Sequence, residues 1–537
     1  MLQKKWFLYL TEFFAGMAVM AVEIGASRLL APYFSSSQIV WTIIIGTIMI
    51  AMALGNLWGG RSADRHPDPA RLYARILVAS VWIALIPVVG KYIIALIAMT
   101  TALVVRANYL IWAAFVACFV LFVFPLMLLG TTTPSLSRYV MRTTDDAGRT
   151  VGKMNALNTI GSIIGTFVPT FLTIPAVGTA LTFVFFAAVL FVLAALFFLT
   201  SSRRRVVRCA VSLVLIAASG FLAPLTGFAF WENDIYEDES IYNYLQVTED
   251  DEYVYLSTNV LIGVQSLKKK TPGLSRFYYE YALLAPYMTD TVAGGSDPSV
   301  LILGLGSGTY ASVCMHYFPE AQIDGVEIDK KIVDLAYSHF DMPDSVRVQV
   351  EDGRAVLSPT NKESIVKDKK YDVILIDAYQ DVTIPFQMST VEFFTLVRDH
   401  LNEGGVMIVN LNMYSDKAGS INNYLCDTIK SVFCYVETLD CDNGNREVFA
   451  MQHDRADANL DASLPAISDG ELAAFLSSVR SQRTALEGGD LILTDDKAPI
   501  ELLGMRMVDE LIFDELSYYQ NIYREKGLRG LFDELTK

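Results

Sequence analysis

The sequence predicts a bundle of membrane-crossing α-helices, then a small β-domain, then an α/β domain wound on both faces of a parallel sheet. Three observations predict it. Stretches of about 20 apolar residues, the length that crosses a bilayer, recur through residues 1–230 and are absent after them. Charge divides at the same place: residues 1–230 carry 17 basic and 6 acidic side chains, a net of +11, and residues 231–537 carry 25 and 52, a net of −27. Beyond residue 290, short apolar runs end in glycine-rich or acidic clusters and alternate with helical stretches. At 537 residues the chain also exceeds what one hydrophobic core serves.

In the first part the expected spans are 6–31, 39–60, 72–96, 108–130, 154–176, 178–200 and 207–230, about seven helices. The apolar stretch at 92–105 is short and reads as a bent or interfacial piece. Basic residues cluster in alternate connections: Lys4 and Lys5; Arg61, Arg65, Arg71 and Arg75; Arg138, Arg142, Arg149 and Lys153; Arg203, Arg204, Arg205 and Arg208. The positive-inside rule puts these in the cytoplasm, and seven crossings then put the C-terminal part outside. Glu12, Glu23 and Arg28 fall within the first span, where charges face a partner or a wet cavity. Gly55, Gly59 and Gly60 allow helices to approach closely. The segment from Gly55 to Arg65 resembles the loop after the second span of major-facilitator transporters.

In residues 231–290, the runs 242–247, 253–257 and 260–264 read as strands. The segment Arg276-Phe-Tyr-Tyr-Glu280-Tyr then starts a helix. Parallel strands follow at 300–303, 322–328, 346–350, 371–376 and 405–411. The first leads into Gly304-Leu-Gly306-Ser307-Gly308-Thr309. The second ends in Glu327-Ile-Asp329, the third in Glu351-Asp352-Gly353-Arg354, the fourth in Asp377-Ala-Tyr379-Gln-Asp381. Ligands of such sheets bind at the carboxyl ends of the strands. The glycine loop alone also fits a nicotinamide dinucleotide, and it lacks the Lys of a P-loop. Glu327 suits ribose hydroxyls, and Asp352 beside Gly353 is placed to accept from an adenine amino group, which favours an adenosyl sulfonium.

Composition narrows the partners. The acidic C-terminal part excludes nucleic acid, which needs a basic surface, and suits a cationic substrate. Cys118, Cys209, Cys314, Cys426, Cys434 and Cys441 show no zinc spacing, so no metal is expected.

Taken together, residues 240–412 resemble spermidine synthase, a polyamine aminopropyltransferase, and the whole chain is similar to the bacterial membrane-fused members of that family. Glu23, Arg28, Pro32, Trp41, Asp64 and Arg65 in the bundle share the likeness. The resemblance implies a Rossmann-like domain of the S-adenosylmethionine-type methyltransferase fold at 291–537, after a β-domain at 231–290. It implies Asp377 as the catalytic aspartate. Gly304, Gly306, Ser307, Gly308, Glu327, Asp329, Asp352 and Gly353 would bind the cosubstrate. Tyr242, Asn243, Tyr278, Tyr279, Glu280, Tyr379 and Asp381 would bind the amine. The implied cosubstrate is decarboxylated S-adenosylmethionine or S-adenosylmethionine, the acceptor a small amine such as putrescine, and the assembly a homodimer held at the lipid bilayer.

The sequence departs from the family at three places. Ser307 replaces an Asp that binds the amine of the aminopropyl group. Asn243, after Tyr242, replaces a Gln. Asp381 is displaced by one position from the family's second Asp. The expected activity is transfer of an aminopropyl group with release of methylthioadenosine. Methyl or aminocarboxypropyl transfer, and a polyamine or nucleoside transporter or sensor with a non-catalytic domain, stay open beside it. The charge pattern puts the catalytic part outside, but its cosubstrate is made in the cytosol, and the expectation adopted is cytosolic.

Overall fold

The computed structural model describes residues 5–34, 37–105, 108–141, 147–199, 203–228, 234–260, 264–379, 384–411, 417, 419–442, 444–507, 521–522 and 524–527. These fall into two compact units. One contains residues 1–230 with the described residues beyond 515, the other residues 231–514.

Six continuous helical stretches in the first unit are long and apolar enough to cross a membrane: Lys5–Phe34, Gln38–Arg65, Pro69–Val104, Tyr109–Val140, Ala147–Phe198 and Val206–Thr226. The fifth has 52 residues. At 1.5 Å per residue that is about 78 Å, more than twice the hydrocarbon thickness. It is broken at Gly178, whose φ of 79° no helix allows. Thr182 Oγ1 donates to Thr173 Oγ1 at 3.0 Å. In a straight helix residues nine apart lie about 13 Å apart, so the chain doubles back here. The expected spans 154–176 and 178–200 are thus the two arms of one helical hairpin. The stretch at 92–105 is instead the continuation of Pro69–Val104, a single 36-residue helix.

Glycines set the closest packing in this unit. A Cβ on Gly161 or Gly165 would lie 2.0 Å from the Phe13 carbonyl oxygen or 2.1 Å from that of Met17. Only a residue with no side chain lets those two backbones meet. Glu12 is buried and accepts from Thr133 Oγ1 at 2.5 Å and Asn158 Nδ2 at 3.1 Å, so partners from two other helices meet it. Large apolar side chains such as Met49, Leu57, Phe171 and Phe221 remain exposed, as on a surface made for lipid.

The second unit opens with an antiparallel four-stranded sheet: β1 (Asp234–Glu239), β2 (Tyr244–Glu249), β3 (Tyr253–Ser257) and β4 (Ser266–Lys269). Strand β1 was not read from the sequence. The expected strand at 260–264 falls largely on residues outside those described, and the strand pairing with β3 is β4. Leu245, Val247, Val254 and Leu256 pack this sheet onto Ile332, Leu335 and Phe340 of the α/β part.

The larger sheet contains β5 (Ser299–Leu303), β6 (Gln322–Glu327), β7 (Arg347–Val350), β8 (Tyr371–Ile376), β9 (Leu401–Leu411), β10 (Tyr435–Asp440), β11 (Arg446–Met451) and β12 (Thr484–Ala485). Its order is β12-β10-β11-β9-β8-β5-β6-β7. Strands β5 to β9 are parallel, as the alternation with helices requires. Strands β10, β11 and β12 join antiparallel beyond β9 and make the sheet mixed. Side chains of the central strands divide between two apolar cores, one on each face. The strand order reverses between β5 and β8, and such a switch point opens a crevice at the strands' carboxyl ends.

Candidate active site

The crevice is built where β5 and β8 end. The Asp377 N–H donates to the Leu303 carbonyl at 2.9 Å, which locks the two strand ends together. Gly304 follows at φ 88°, and a Cβ there would lie 2.6 Å from the Asp377 carbonyl oxygen. Glycine is therefore required both for the backbone angle and for the approach of the loop to Asp377.

Asp377 is held on both oxygens. Tyr278 Oη donates to Oδ2 at 2.6 Å, and Asn410 Nδ2, near the end of β9, donates to Oδ1 at 2.9 Å. Burial pushes its carboxyl up to about 6 against the pull of these two donors. Tyr278 is buried, and burial together with the Asp377 carboxylate raises its hydroxyl well above the usual value, so it stays a donor. Asn410 in turn accepts from Asn445 Nδ2 at 3.1 Å.

On the other side of the glycine loop, Glu327 is buried. It accepts from the N–H of Gly306 at 3.0 Å and of Asp329 at 3.1 Å, and burial raises it to about 7. Gly308 caps the helix Thr309–Tyr317 in the left-handed conformation. Ser307 is buried and shares a hydrogen bond with Thr309 Oγ1 at 2.7 Å, while Thr309 donates to the Leu267 carbonyl of β4 at 3.1 Å. The small sheet thus lies against the loop. Asp352 caps the helix that begins at Gly353, accepting from Arg354 N at 3.0 Å and Ala355 N at 2.9 Å, and Gln387 Nε2 stands 3.4 Å from its other oxygen.

The remaining expected residues divide. Tyr279 donates to the Leu267 carbonyl at 2.9 Å, beside the loop. The Glu280 carboxylate is taken up by Ser275, whose N–H and Oγ approach at 2.7 and 2.9 Å, and by the Arg276 N–H. Asp329 is likewise engaged: it accepts from Lys331 N at 3.0 Å, from Asn243 Nδ2 at 3.2 Å and from Ser240 Oγ. Asn243 therefore meets Asp329. Tyr242 is largely exposed. Tyr379 lies in the core on the other face of the sheet, its hydroxyl on the Met388 carbonyl at 2.9 Å. Asp381 lies outside the described residues.

Two polar residues of the crevice were not singled out in the sequence, Asn410 and Glu447. Asn410 closes the apolar run 406–409 of β9 and Glu447 follows Arg446 in β11, so neither stands out until the strands are known to be internal.

A profile of the spermine/spermidine synthase domain matches residues 278–439. The chain is 46% identical over 355 residues to a probable polyamine aminopropyl transferase of Bifidobacterium longum, covering 63% of this chain and 77% of that one. It is 30% identical over 227 residues to a polyamine aminopropyltransferase of Vibrio vulnificus, covering 40% and 71%. Among solved structures, a probable spermidine synthase from Corynebacterium glutamicum matches at 20% identity with a TM-score of 0.34, covering 48% of this chain and 96% of that one.

Proposed function

This chain belongs to the spermine/spermidine synthase family of polyamine aminopropyltransferases, and on that premise we propose that it transfers an aminopropyl group from decarboxylated S-adenosylmethionine to a small amine such as putrescine. The observation that carries the reading is Asp377 at the switch point, held by Tyr278 and Asn410 with its carboxyl raised to about 6.

The chemistry follows from that arrangement. An ammonium has no lone pair, so the attacking nitrogen must be neutral. Asp377 orients it and accepts its proton. The nitrogen attacks the methylene carbon bound to the sulfonium, a C–N bond forms, and the C–S bond breaks with its electron pair going to sulfur. Methylthioadenosine leaves. The sulfonium is already activated, so holding the two partners in line supplies much of the acceleration. The loop Gly304, Gly306, Ser307 and Gly308 and the acids Glu327 and Asp352 are assigned to the adenosine, with Gly353 keeping its edge open. Asp377→Asn is expected to bind methylthioadenosine normally and to lose roughly 100-fold or more in turnover. Unchanged turnover in a folded variant removes Asp377 from the mechanism.

Ser307 favours a second reading of the cosubstrate. An Asp here would repel the carboxylate of intact S-adenosylmethionine, and a Ser does not. Products of turnover separate the cases: methylthioadenosine marks transfer of an aminopropyl or aminocarboxypropyl group, which the mass of the alkylated amine tells apart, and S-adenosylhomocysteine marks transfer of a methyl group.

The six long apolar stretches of the first unit are assigned to the membrane, with the catalytic unit in the cytosol where the cosubstrate is made. The charge pattern and the hairpin at Gly178 favour the opposite side. A cysteine placed at Ser468 and challenged in intact cells with an impermeant thiol reagent decides: no labelling is expected, and strong labelling refutes the cytosolic assignment.

A further inference from the structure

Glu447 lies in β11 and is fully buried, and neither of its carboxylate oxygens has a hydrogen-bond partner among the described residues. A buried carboxyl left this way is costly and demands a reason. Its position supplies one. Glu447 stands opposite Asn410 in the β9–β11 ladder, so the two side chains share a face of the sheet. Asn410 is the residue that donates to Asp377. Phe449 and Met451, two and four residues along β11, belong to the same core as Tyr278 and Tyr310, which fixes that face as the one bearing Tyr278. The Asp377 carboxylate acts on Glu447, and Glu447 acts on Tyr278 and Tyr310. All these neighbours are acids or neutral. Arg446, the adjacent residue, alternates to the other face and pairs with Asp440 at 3.0 Å. Burial and the Asp377 charge raise the Glu447 carboxyl well above the usual range.

We infer that Glu447 is the acceptor-specificity residue of this pocket, taking the ammonium at the far end of a diamine whose near nitrogen lies at Asp377. The inference rests on the aminopropyltransfer reading for the role of the near nitrogen. Asp377 and Glu447 are separated by one intervening strand, β9, which puts their Cα atoms about 10 Å apart. Asn410, on the intervening strand and bonded to Asp377, lies between the two acids, and a short diamine laid across it would place a nitrogen at each carboxyl. Two buried carboxyls oppose each other's ionisation. A cation arriving between them removes the opposition and lets Glu447 ionise against it. A monoamine brings a single nitrogen, which goes to Asp377 and leaves Glu447 as it was. The pocket therefore discriminates by charge at the far end of the acceptor rather than by length alone.

The test is calorimetric binding of 1,4-diaminobutane and of 1-aminobutane to the full-length protein with methylthioadenosine present. Wild type is compared with Glu447→Gln, which keeps the shape, and Glu447→Leu, which suits an apolar surrounding. The diamine is expected to weaken about 100-fold in both variants, the scale of losing one partner of a buried charge pair, with little change for the monoamine. Equal diamine affinity in wild type and variants overturns the inference. So does an equal loss for both amines, a wild type that binds neither, or loss of methylthioadenosine binding in both variants, which makes Glu447 structural. Release of methylthioadenosine from decarboxylated S-adenosylmethionine is measured separately. Diamine binding that depends on Glu447 without that release sinks the transfer reading and leaves this inference standing, whereas release with undiminished diamine binding in both variants does the reverse.

Discussion

Replacing Tyr278 by Phe removes one hydroxyl and nothing else from the crevice, and its effect is read as a change in pH dependence. The lost bond is a 2.6 Å donation to a carboxylate oxygen. Hydrogen bonds to charged groups contribute about 1.5–3 kcal/mol. Water entering the space restores part of that, so the lower end applies. About 1.4 kcal/mol corresponds to one pH unit. The bond favours the ionised carboxyl, so losing it raises Asp377 from about 6 to about 7. On the proposed mechanism Asp377 is the base, so activity is present above its pKa and lost as the pH falls through it. At pH 7 the ionised fraction then drops from roughly 90% to roughly 50%. The assay is kcat/KM for methylthioadenosine release between pH 5 and 9 (roughly the range where both limbs are visible), in wild type and Tyr278→Phe. The amine's own ionisation shapes both profiles identically, so the difference isolates Asp377. An acidic limb that stays in place or moves down, with methylthioadenosine affinity retained, refutes the assignment of Asp377 as the base and Tyr278 as its tuner.

Gly304→Ala forces a side chain onto a φ of 88° and into the Asp377 backbone. A loss on the order of 1–3 kcal/mol of stability is expected, visible as a lowered melting temperature and weakened methylthioadenosine binding; an unchanged melt argues against the close approach. Glu327→Ala and Asp352→Ala are each expected to weaken methylthioadenosine by roughly 10-fold or more, since either leaves a donor of the bound nucleoside unpaired. Calorimetry giving wild-type affinity for both removes these acids from the site. In the bundle, Gly165→Leu drives a side chain into the Met17 carbonyl and is expected to lower the thermal stability of the detergent-solubilised protein, whereas Gly46→Leu, where a Cβ meets nothing, is not. Equal melting of the two variants refutes the packing of these helices.

The parts of the fold that are legible in the sequence are those whose ends carry chemistry. Strands β5 and β8 are largely apolar and β6 and β7 mix apolar with polar residues, but each is closed by a glycine loop or an acid, and the ends of β5, β6 and β8 meet around the crevice. The strands expected from the sequence stop at residue 411. Residues 435–440 and 446–451 nevertheless flank an Asn443-Gly444 pair, which is a hairpin signal, and they form the antiparallel β10 and β11. Strand β11 also hides its own message. In an edge hairpin a Glu between Arg446 and Val448 reads as a solvated position. Only the sheet order, which covers β11 on both sides with β9 and β10, turns it into a buried one. Asn243 and Asp329, expected at the ligand, also make a polar joint that fastens the small sheet to the helix Lys330–His339. Spacing along the chain does not distinguish an acid that meets a ligand from one that caps a helix, because the strand-end position serves both.

The hairpin of β10 and β11 has a consequence for how the enzyme comes into being. The groups that meet at the crevice come from Tyr278, Asp377, Asn410, Asn445 and Glu447, stretches scattered over some 170 residues. Contacts so distant in sequence are slow to form, because the intervening chain must be ordered first. The parallel core of β5 to β9 assembles from neighbouring βα units and leaves the ribosome earlier, since synthesis runs from the N-terminus. Asn410 reaches its acceptor role toward Asn445 only after the hairpin docks on β9. Until then the edge of β9 is unpaired, a surface on which other strands add. Late docking of a short antiparallel hairpin thus both brings Asn445 to Asn410 and covers the open edge of β9.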